Sequence, residues 1–223
     1  DEKIIEYAIE KNNKGLMGIS GKDLISLISD SSPAPGGGSV SAIAGSLGAA
    51  LVSMVAALTH EKKDFIRSRK KMNEIGVKAQ DLKDRLIYLG EEDTEAFNAI
   101  LAANRLSDKT PEQKKFKEKR AFEANKYAIE IPLETAKLSL EVIKLSLDLI
   151  KHGNPNSVTD AEVASEVGLA GVRGGCMNVM INLSGLDNFN NYAPDIHNKI
   201  DSLINEANNL HKKAFDNTKK LIN

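Results

Sequence analysis

The stretch that most constrains the fold is SSPAPGGGSVSAIAGSLGAALVSMVAALT, residues 31–59, which carries no charged side chain. Its prolines and consecutive glycines predict a loop that opens into a long apolar helix. One face of this helix carries large side chains, namely Ile43, Leu47, Leu51, Met54 and Leu58. Another face carries small residues at four-residue spacing, namely Ser41, Gly45, Ala49 and Ser53. A small-residue face lets a neighbouring backbone come close, so we predict a helix in the middle of a bundle. Its Gly, Ala and Ser content is weakly hydrophobic for a membrane span, and none is expected.

Helical periodicity extends over nearly all of the remaining chain, and strand signals are almost absent. Apolar residues at alternating steps of three and four predict a long helix over about 64–106, and Thr110-Pro111 predicts the capped start of another. Pro132 is expected to kink or break that second helix. Further helices are predicted at 22–30, 133–152, 159–183 and from 194 onward. The fold class is therefore all-α, with one domain over 1–223 built as an up-and-down bundle of long helices.

Composition excludes several kinds of partner. The 223 residues carry 30 basic and 31 acidic side chains, a formal charge of −1, so there is no global positive field to hold nucleic acid. One cysteine excludes a disulfide framework, and the four histidines lack zinc-ligand spacing, so no metal is expected. The absence of a visible signal peptide predicts a cytoplasmic protein. The long heptad pattern and the small-residue face could both serve a homodimer, for which twofold symmetry is the commonest arrangement.

Asp93 is a charged residue at a core position of the long heptad pattern. It lies between Leu89 and Ala96, with Phe97 one turn further on. A carboxylate in a bundle core costs several kcal/mol if it stays ionised and unpaired, so it is expected to have a partner or a raised pKa. A carboxyl group of that kind suits proton transfer near neutral pH. The alternative is a structural carboxylate that pairs with an arginine or caps a neighbouring helix.

A second irregular face lies on the helix that begins near Asp160. Asp160, Asn178 and Asn182 share this face with Gly171 and Gly175. Glycine inside a helix costs about 1 kcal/mol relative to alanine, so these positions indicate the close approach of another group. The paired amides of Asn178 and Asn182 suit a flat heterocycle with its own amide pattern. An amide ladder between helices explains them equally well, and Asp160 can be a carboxylate that interacts with the helix dipole.

The turn Pro35–Ser39, which contains Gly36, Gly37 and Gly38, lies where the apolar helix begins. Consecutive glycines let backbone N–H groups converge on an anion or a carbonyl at a helix N-terminus, although such runs are more often purely structural. A basic cluster follows the helix and includes Lys62, Lys63 and Arg67. It could receive an anionic tail or be a solvated face, and a second basic run at 114–120 is interpreted as a solvated face.

Five segments, in this order, carry a family resemblance: PAPGGGSVSAIAGSLGAALVSMVAALT (33–59), EEDTEAF (91–97), IPL (131–133), GN (153–154) and NVMINL (178–183). From about residue 20 to 215 the chain resembles the cyclodeaminase/cyclohydrolase family of folate enzymes. The resemblance implies an all-helical dimer that acts at the one-carbon bridge of tetrahydrofolate, with no metal and no cofactor beyond the folate substrate. It implies that Asp93 is the catalytic aspartate. It also implies that the Pro35–Ser39 turn, Asp160, Asn178 and Asn182 contact the substrate, although the family's Ser-Asp pair is Thr159-Asp160 here.

The resemblance leaves two reactions open. In the favoured one, a cyclodeaminase reaction, N10 of 5-formimidoyltetrahydrofolate attacks the formimidoyl carbon and ammonia leaves, which gives 5,10-methenyltetrahydrofolate. In the other, a cyclohydrolase reaction, water adds to the methenyl carbon and ring opening gives 10-formyltetrahydrofolate. We expect Asp93 to move the proton in either reaction, and Lys62, Lys63 and Arg67 to receive the glutamate tail. A helical scaffold and an inactive folate-binding homologue are the alternatives to an enzyme.

Overall fold

The computed structural model describes residues 15–184 and 193–223, most of which lie in six α-helices. Helix α1 spans Gly21–Ile28, α2 spans Gly37–Glu61, α3 spans Arg69–Asn104, α4 spans Pro111–His152, α5 spans Val158–Leu183 and α6 spans Ala193–Ile222. Short 3-10 turns occupy Leu16–Gly18, Lys63–Ser68 and Pro155–Ser157. The described residues contain no strand, so the predicted all-α class is confirmed.

Helices α2 to α6 form an up-and-down bundle in which consecutive helices run antiparallel. Ion pairs between α3 and α4 show the reversal, because Lys71 pairs with Asp148 while Arg85, further along α3, pairs with the earlier Glu134. This alternation brings four segments to one end of the bundle: the start of α2, the last third of α3, the first half of α4 and the end of α5.

Helix α2 lies at the centre with its small residues turned inward. A Cβ added to Gly48 would lie 2.9 Å from the carbonyl oxygen of Ala164 and 2.9 Å from Val142, so the helices touch at backbone distance. The large side chains face outward instead, with Leu47 53% and Met54 40% exposed. By length and composition α2 is apolar enough to cross a membrane, and 50% of its most apolar window is buried inside the chain.

The long heptad pattern forms α3 and packs inside the chain. Its buried apolar residues are Met72, Ile75, Ala79, Leu82, Leu86, Leu89 and Ala96. The helix begins later than predicted, because the preceding 3-10 turn contains Phe65 with the non-helical angles φ −106° and ψ 21°. This pattern and the small-residue face of α2 were the two surfaces that the sequence offered for a dimer, and the chain uses both internally.

Helix α4 continues through Pro132, so the predicted break does not occur there. Proline lacks the N–H that would bond the carbonyl oxygen four residues earlier, here that of Ala128. The side-chain amide of Asn182 on α5 donates to this oxygen at 2.7 Å. A Cβ on Gly175 would lie 2.7 Å from the carbonyl oxygen of Pro132, so α5 approaches α4 closely enough to supply the missing donor.

Candidate active site

A cavity of about 120 Å³ opens at the end of the bundle where α2 begins. All four central helices and the loop before α2 contribute to its wall. Its lining residues are Pro33, Ala34, Gly36, Gly37, Gly38, Asp93, Ala96, Phe97, Ile100, Ala128, Asn178 and Asn182. The structure therefore brings the predicted glycine turn, Asp93 and both asparagines together around one space.

Asp93 faces the first turn of α2. Its Oδ2 accepts a hydrogen bond from the backbone N–H of Ser39 at 2.8 Å and another from the Ser39 hydroxyl at 3.1 Å. The sequence predicted that the start of α2 could bind an anion or a carbonyl. In the structure the carboxylate of Asp93 takes that position, where the helix dipole favours negative charge. Among the described residues, the hydrogen bonds to Asp93 end on Oδ2, which leaves Oδ1 available to a ligand.

Two opposing effects act on the pKa of Asp93. Burial is the larger and raises the pKa, whereas the two hydrogen bonds from Ser39 lower it. The net shift is upward, as expected for a carboxyl group at a core position. Asp93 can therefore take up and release a proton closer to neutral pH than an exposed aspartate does.

The glycines of the turn are needed for space rather than for unusual backbone angles, because no glycine in the described residues has a positive φ. A Cβ on Gly38 would overlap the Asp93 carboxylate and lie 2.5 Å from its Cγ. A Cβ on Gly37 would meet only the Asn178 amide nitrogen, at 3.4 Å. Pro35 is buried and is not among the residues that line the cavity, so it supports the turn from behind.

Asn178 and Asn182 lie one turn apart on α5 and both line the cavity. The amide of Asn178 donates to the carbonyl oxygen of Gly174 at 2.9 Å, and that of Asn182 donates to Ala128. Within residues 15–184 and 193–223, each amide keeps one N–H and its carbonyl oxygen for other partners. Asn182 thus combines the two roles that the sequence left open, since it joins α5 to α4 and also faces the cavity.

Four predicted site residues lie elsewhere. Asp160 is in the first turn of α5, about 27 Å along the axis from Asn178. Lys62, Lys63 and Arg67 follow the far end of α2, about 36 Å from Gly38. Lys62 donates there to the side chain of Asn154 at 3.2 Å. A single chain does not bring these four residues to the cavity, because α2 and α5 each run the length of the bundle.

Sequence reasoning missed the apolar part of the wall. Pro33, Ala34, Phe97, Ile100 and Ala128 line the cavity but were not predicted as site residues. Phe97 and Ile100 follow Asp93 at spacings of about one and two helical turns, a signal that could have placed them beside it. The position of Ala128 depends on how α4 and α5 pack, which no local pattern reveals.

A second group of titratable side chains lies on α5 and α6, away from the cavity. Glu162, Glu166 and His211 each offer a ligand atom, and these atoms lie within 4.8 Å of one another, so the group could hold a metal ion. Glu162 is 9% exposed, and its Oε1 makes no hydrogen bond in the described part of the chain. Burial and the nearby Glu166 raise the pKa of Glu162 to about 7. The sequence predicted no metal site because the histidine comes from a different helix.

Comparison with known proteins identifies the family. The family model described as formiminotransferase-cyclodeaminase matches residues 20–202. The chain is 34% identical over 196 residues to a methenyltetrahydrofolate cyclohydrolase of Methylorubrum extorquens, covering 88% of this chain and 94% of that protein. It is 31% identical over 208 residues to the mouse formimidoyltransferase-cyclodeaminase, covering 92% of this chain but only 38% of that longer protein.

A solved structure confirms the fold. The formiminotetrahydrofolate cyclodeaminase of Thermotoga maritima superposes with a TM-score of 0.82 over 92% of this chain and 98% of the other, at 21% sequence identity. The match of the family model covers most of the chain, and it includes the glycine turn, Asp93 and both asparagines of the cavity. The chain therefore belongs to the formiminotransferase-cyclodeaminase family.

Proposed function

We propose that this protein is a folate one-carbon enzyme, and that it acts as a formimidoyltetrahydrofolate cyclodeaminase. One observation carries the proposal: a half-buried carboxyl group with a raised pKa, Asp93, lies in a cavity with two asparagine amides. This pairs a proton-transfer group with hydrogen-bonding groups suited to a flat heterocycle such as a pterin. The names of the relatives from mouse and Thermotoga maritima support the same reaction.

In the cyclodeaminase reaction, Asp93 acts first as a base and then as an acid. N10 attacks the carbon of the formimidoyl group, whose nitrogen is protonated as an amidinium, and Oδ1 of Asp93 takes the proton from N10, which leaves an NH2 group on the tetrahedral carbon. The protonated carboxyl then gives this proton to the amine nitrogen, the bond from carbon to that nitrogen breaks, and ammonia leaves. The ionised carboxylate also stabilises the cationic centre that forms between N5 and N10.

A cyclohydrolase reaction is the second candidate. The observation that favours it is the similarity to the Methylorubrum extorquens cyclohydrolase, of which the chain covers 94%. Here Asp93 removes a proton from the water that attacks the methenyl carbon. Asp93 gives this proton to N5 as the bond from the carbon to N5 breaks, and the hydroxyl group on the carbon loses its proton to solvent, which leaves 10-formyltetrahydrofolate. Both reactions use the same carboxyl group, and the attacking atom distinguishes them.

For the binding of the pterin we propose the glycine turn Gly36–Ser39 and the free amide groups of Asn178 and Asn182. Pro35 holds the turn in place. Because Asp93 supplies the proton transfer, we propose a reaction with no cofactor beyond the folate substrate. We also propose that the protein is cytoplasmic. Asp160 and the cluster of Lys62, Lys63 and Arg67 are left out of this binding site because of their distance.

We propose that the protein is a homodimer joined through the outward face of α2 and α5. This face carries large apolar side chains at heptad-like spacing on both helices; those at least 38% exposed are Val40, Leu47, Met54, Leu58, Val163, Met177, Met180 and Ile181. Exposed large apolar side chains on two packed helices are typical of an interface. Leu47→Lys should convert the dimer to a monomer in sedimentation measurements, and Val77→Lys, on the exposed surface of α3, is the matched control. A monomeric wild-type protein would refute this assembly.

The proposed reaction is tested by following the absorbance of 5,10-methenyltetrahydrofolate together with the release of ammonia. Formation of the methenyl compound with ammonia from 5-formimidoyltetrahydrofolate supports the cyclodeaminase. Consumption of the methenyl compound without ammonia supports the cyclohydrolase. Tight folate binding with neither reaction would indicate an inactive homologue, and no folate binding would indicate a scaffold.

The role of Asp93 is tested by Asp93→Asn, which keeps the shape of the side chain and its acceptor for Ser39. We expect turnover to fall by roughly 10²–10⁴-fold, the usual contribution of general acid–base catalysis, while folate binding stays within a few-fold. Glu95→Gln, an exposed carboxyl group in the same motif, is the matched control and should keep full activity. An active Asp93→Asn enzyme would reject the assignment.

A further inference from the structure

A second and larger cavity lies next to the candidate active site, in the groove between α3 and α4. It measures about 380 Å³. Its lining residues are Ala99, Ala102, Ala103, Leu106, Phe116, Arg120, Glu123, Ala124 and Tyr127. Ile100 and Ala128 of the first cavity lie directly beside Ala99 and Tyr127 of the second. The two spaces therefore occupy consecutive turns of the same two helices.

We propose that this α3–α4 cleft binds the p-aminobenzoyl ring and the glutamate tail of the folate substrate. The inference rests on the proposed function, and it assigns a place to the part of the substrate that the small first cavity cannot hold. The aryl group is attached at N10, next to the reacting carbon, so it must leave the Asp93 cavity through an open side. The cleft lies on the neighbouring turns of α3 and α4, further from the glycine turn, so it is the adjacent space into which the aryl group can extend.

The length of the cleft matches this part of the substrate. Ala103 lies about 15 Å beyond Asp93 along the axis of α3. An aminobenzoyl group followed by one glutamate spans roughly 10–14 Å when extended, the reach of about three to four residues of chain. With the reacting carbon beside Asp93, the glutamate carboxylates arrive near Ala103 and the facing turn of α4.

The walls of the cleft suit a flat ring. Alanines on α3 leave a groove between the helices, and Phe116 and Tyr127 on α4 offer aromatic surface. Phe116 is 57% exposed, so its ring surface is open to a ligand in the cleft. A bound benzoyl ring would cover it and could pack edge-to-face or offset against it.

The charges at the end of the cleft suit the carboxylates. Arg120 lines the cavity, and Lys119 is its neighbour on the same exposed turn. Both approach Glu123, with distances of 3.2 Å from Arg120 and 3.9 Å from Lys119. In this arrangement Glu123 competes with an incoming carboxylate for the same cations. Arg120 thus lines the cleft although the rest of the basic run at 114–120 is largely exposed, as a solvated face would be, whereas the cluster around Lys62 lies near the other end of the bundle.

Two substitutions with opposite expected effects test the proposal. Arg120→Gln removes a guanidinium that can bind a carboxylate, so the KM for a triglutamate substrate should rise about five- to tenfold. Glu123→Gln removes the competing carboxylate, so the same KM should fall by about two- to fivefold. In both variants kcat should stay within about twofold, because neither residue reaches the reacting carbon. Lys62→Gln is the control and should change neither constant.

A third substitution tests the path of the ring. Ala99→Leu should fill the groove and raise KM for every folate substrate, including one with a single glutamate, while thermal unfolding shows that the protein remains folded. Calorimetric binding of p-aminobenzoyl-triglutamate, which has no pterin, gives a readout that does not depend on turnover. Arg120→Gln should weaken it and Glu123→Gln should strengthen it.

The results of these experiments distinguish a failure of the proposed cleft from a failure of the proposed reaction. If the wild-type protein turns over folate but Arg120→Gln, Glu123→Gln and Ala99→Leu leave KM unchanged, the cleft is refuted and the proposed function stands. If the wild-type protein turns over no folate and binds no p-aminobenzoyl-triglutamate, the proposed function and the cleft are both refuted. If it binds the triglutamate with the expected effects but shows no turnover, only the reaction is refuted.

Discussion

Replacing Gly38 by alanine should lower activity about 10²-fold without unfolding the protein. The added Cβ would overlap the Asp93 carboxylate, 2.5 Å from its Cγ, whereas ordinary contact requires more than about 3.4 Å. The carboxylate must therefore move by roughly 1 Å or rotate away, and both hydrogen bonds from Ser39 are lost or distorted. A misplacement of about 1 Å can cost roughly 10²-fold in rate. Alanine itself favours the helix by up to about 1 kcal/mol over glycine, which offsets part of the loss in stability.

The matched control is Gly37→Ala, one residue earlier in the same helical turn. Its Cβ would lie 3.4 Å from the Asn178 amide nitrogen, a contact that a small shift of the side chain accommodates. Both variants should unfold within a few degrees of the wild-type protein in circular dichroism. Initial rates of change in methenyltetrahydrofolate absorbance should fall about 10²-fold for Gly38→Ala and less than about threefold for Gly37→Ala. Equal rates in the two variants would refute the argument that the glycine makes room for Asp93.

Three further predictions follow from the contacts of the bundle. Asn182→Ala removes the donor to the Ala128 carbonyl and should lower the free energy of unfolding by about 1–3 kcal/mol in denaturant titrations. In a Pro132→Ala background a backbone N–H can replace that donor, so the loss of stability caused by Asn182→Ala should be smaller. An equally large loss in that background would contradict this role of Asn182. Because the folded-state pKa of Glu162 is raised to about 7, the protein should lose stability as the pH rises from about 4.5 to 7, by about 2–3 kcal/mol from this group. Glu162→Gln should remove that pH dependence and stabilise the protein at pH 8. If the variant unfolds with the same pH profile as the wild-type protein, the raised pKa is not that of Glu162. Because the pKa of Asp93 is raised and its ionised form accepts the proton, kcat/KM should fall as the pH drops through a value above the ordinary aspartate range, and a flat profile there would exclude Asp93 as the base.

The helices and Asp93 could be predicted from the sequence because both depend on local periodicity. An apolar repeat places a residue inside a bundle whatever the neighbouring helix is, so a carboxyl group at a core position stands out. The glycine turn was also predicted as part of the site, but its contact with Asp93 was not predicted. That the first N–H groups of α2 would meet Asp93, rather than an anion of the substrate, depends on the packing of α2 against α3.

The errors concern contacts between distant parts of the chain. Pro132 was expected to disturb α4 because the compensating donor, Asn182, lies fifty residues later in the sequence. Lys62 follows the glycine-rich segment closely in sequence, yet a 25-residue helix carries it to the opposite end of the molecule. Arg120 lies far from that segment in sequence, yet it lines the cavity next to the candidate active site. Nearness along the chain was a poor guide in each case, since long helices separate neighbours and antiparallel packing joins remote segments.

The hydrogen bonds from Ser39 to Asp93 couple the charge of the Asp93 carboxyl group to the stability of the first turn of α2. The carboxylate, which we propose as the proton carrier, also accepts the Ser39 N–H at the start of α2, so its ionisation and the stability of that helix end are thermodynamically linked. A cationic ligand that keeps Asp93 ionised should therefore slow amide hydrogen exchange in the opening turn of α2. The backbone would then report on the charge state of the reacting molecule, even though it makes no covalent contact with it.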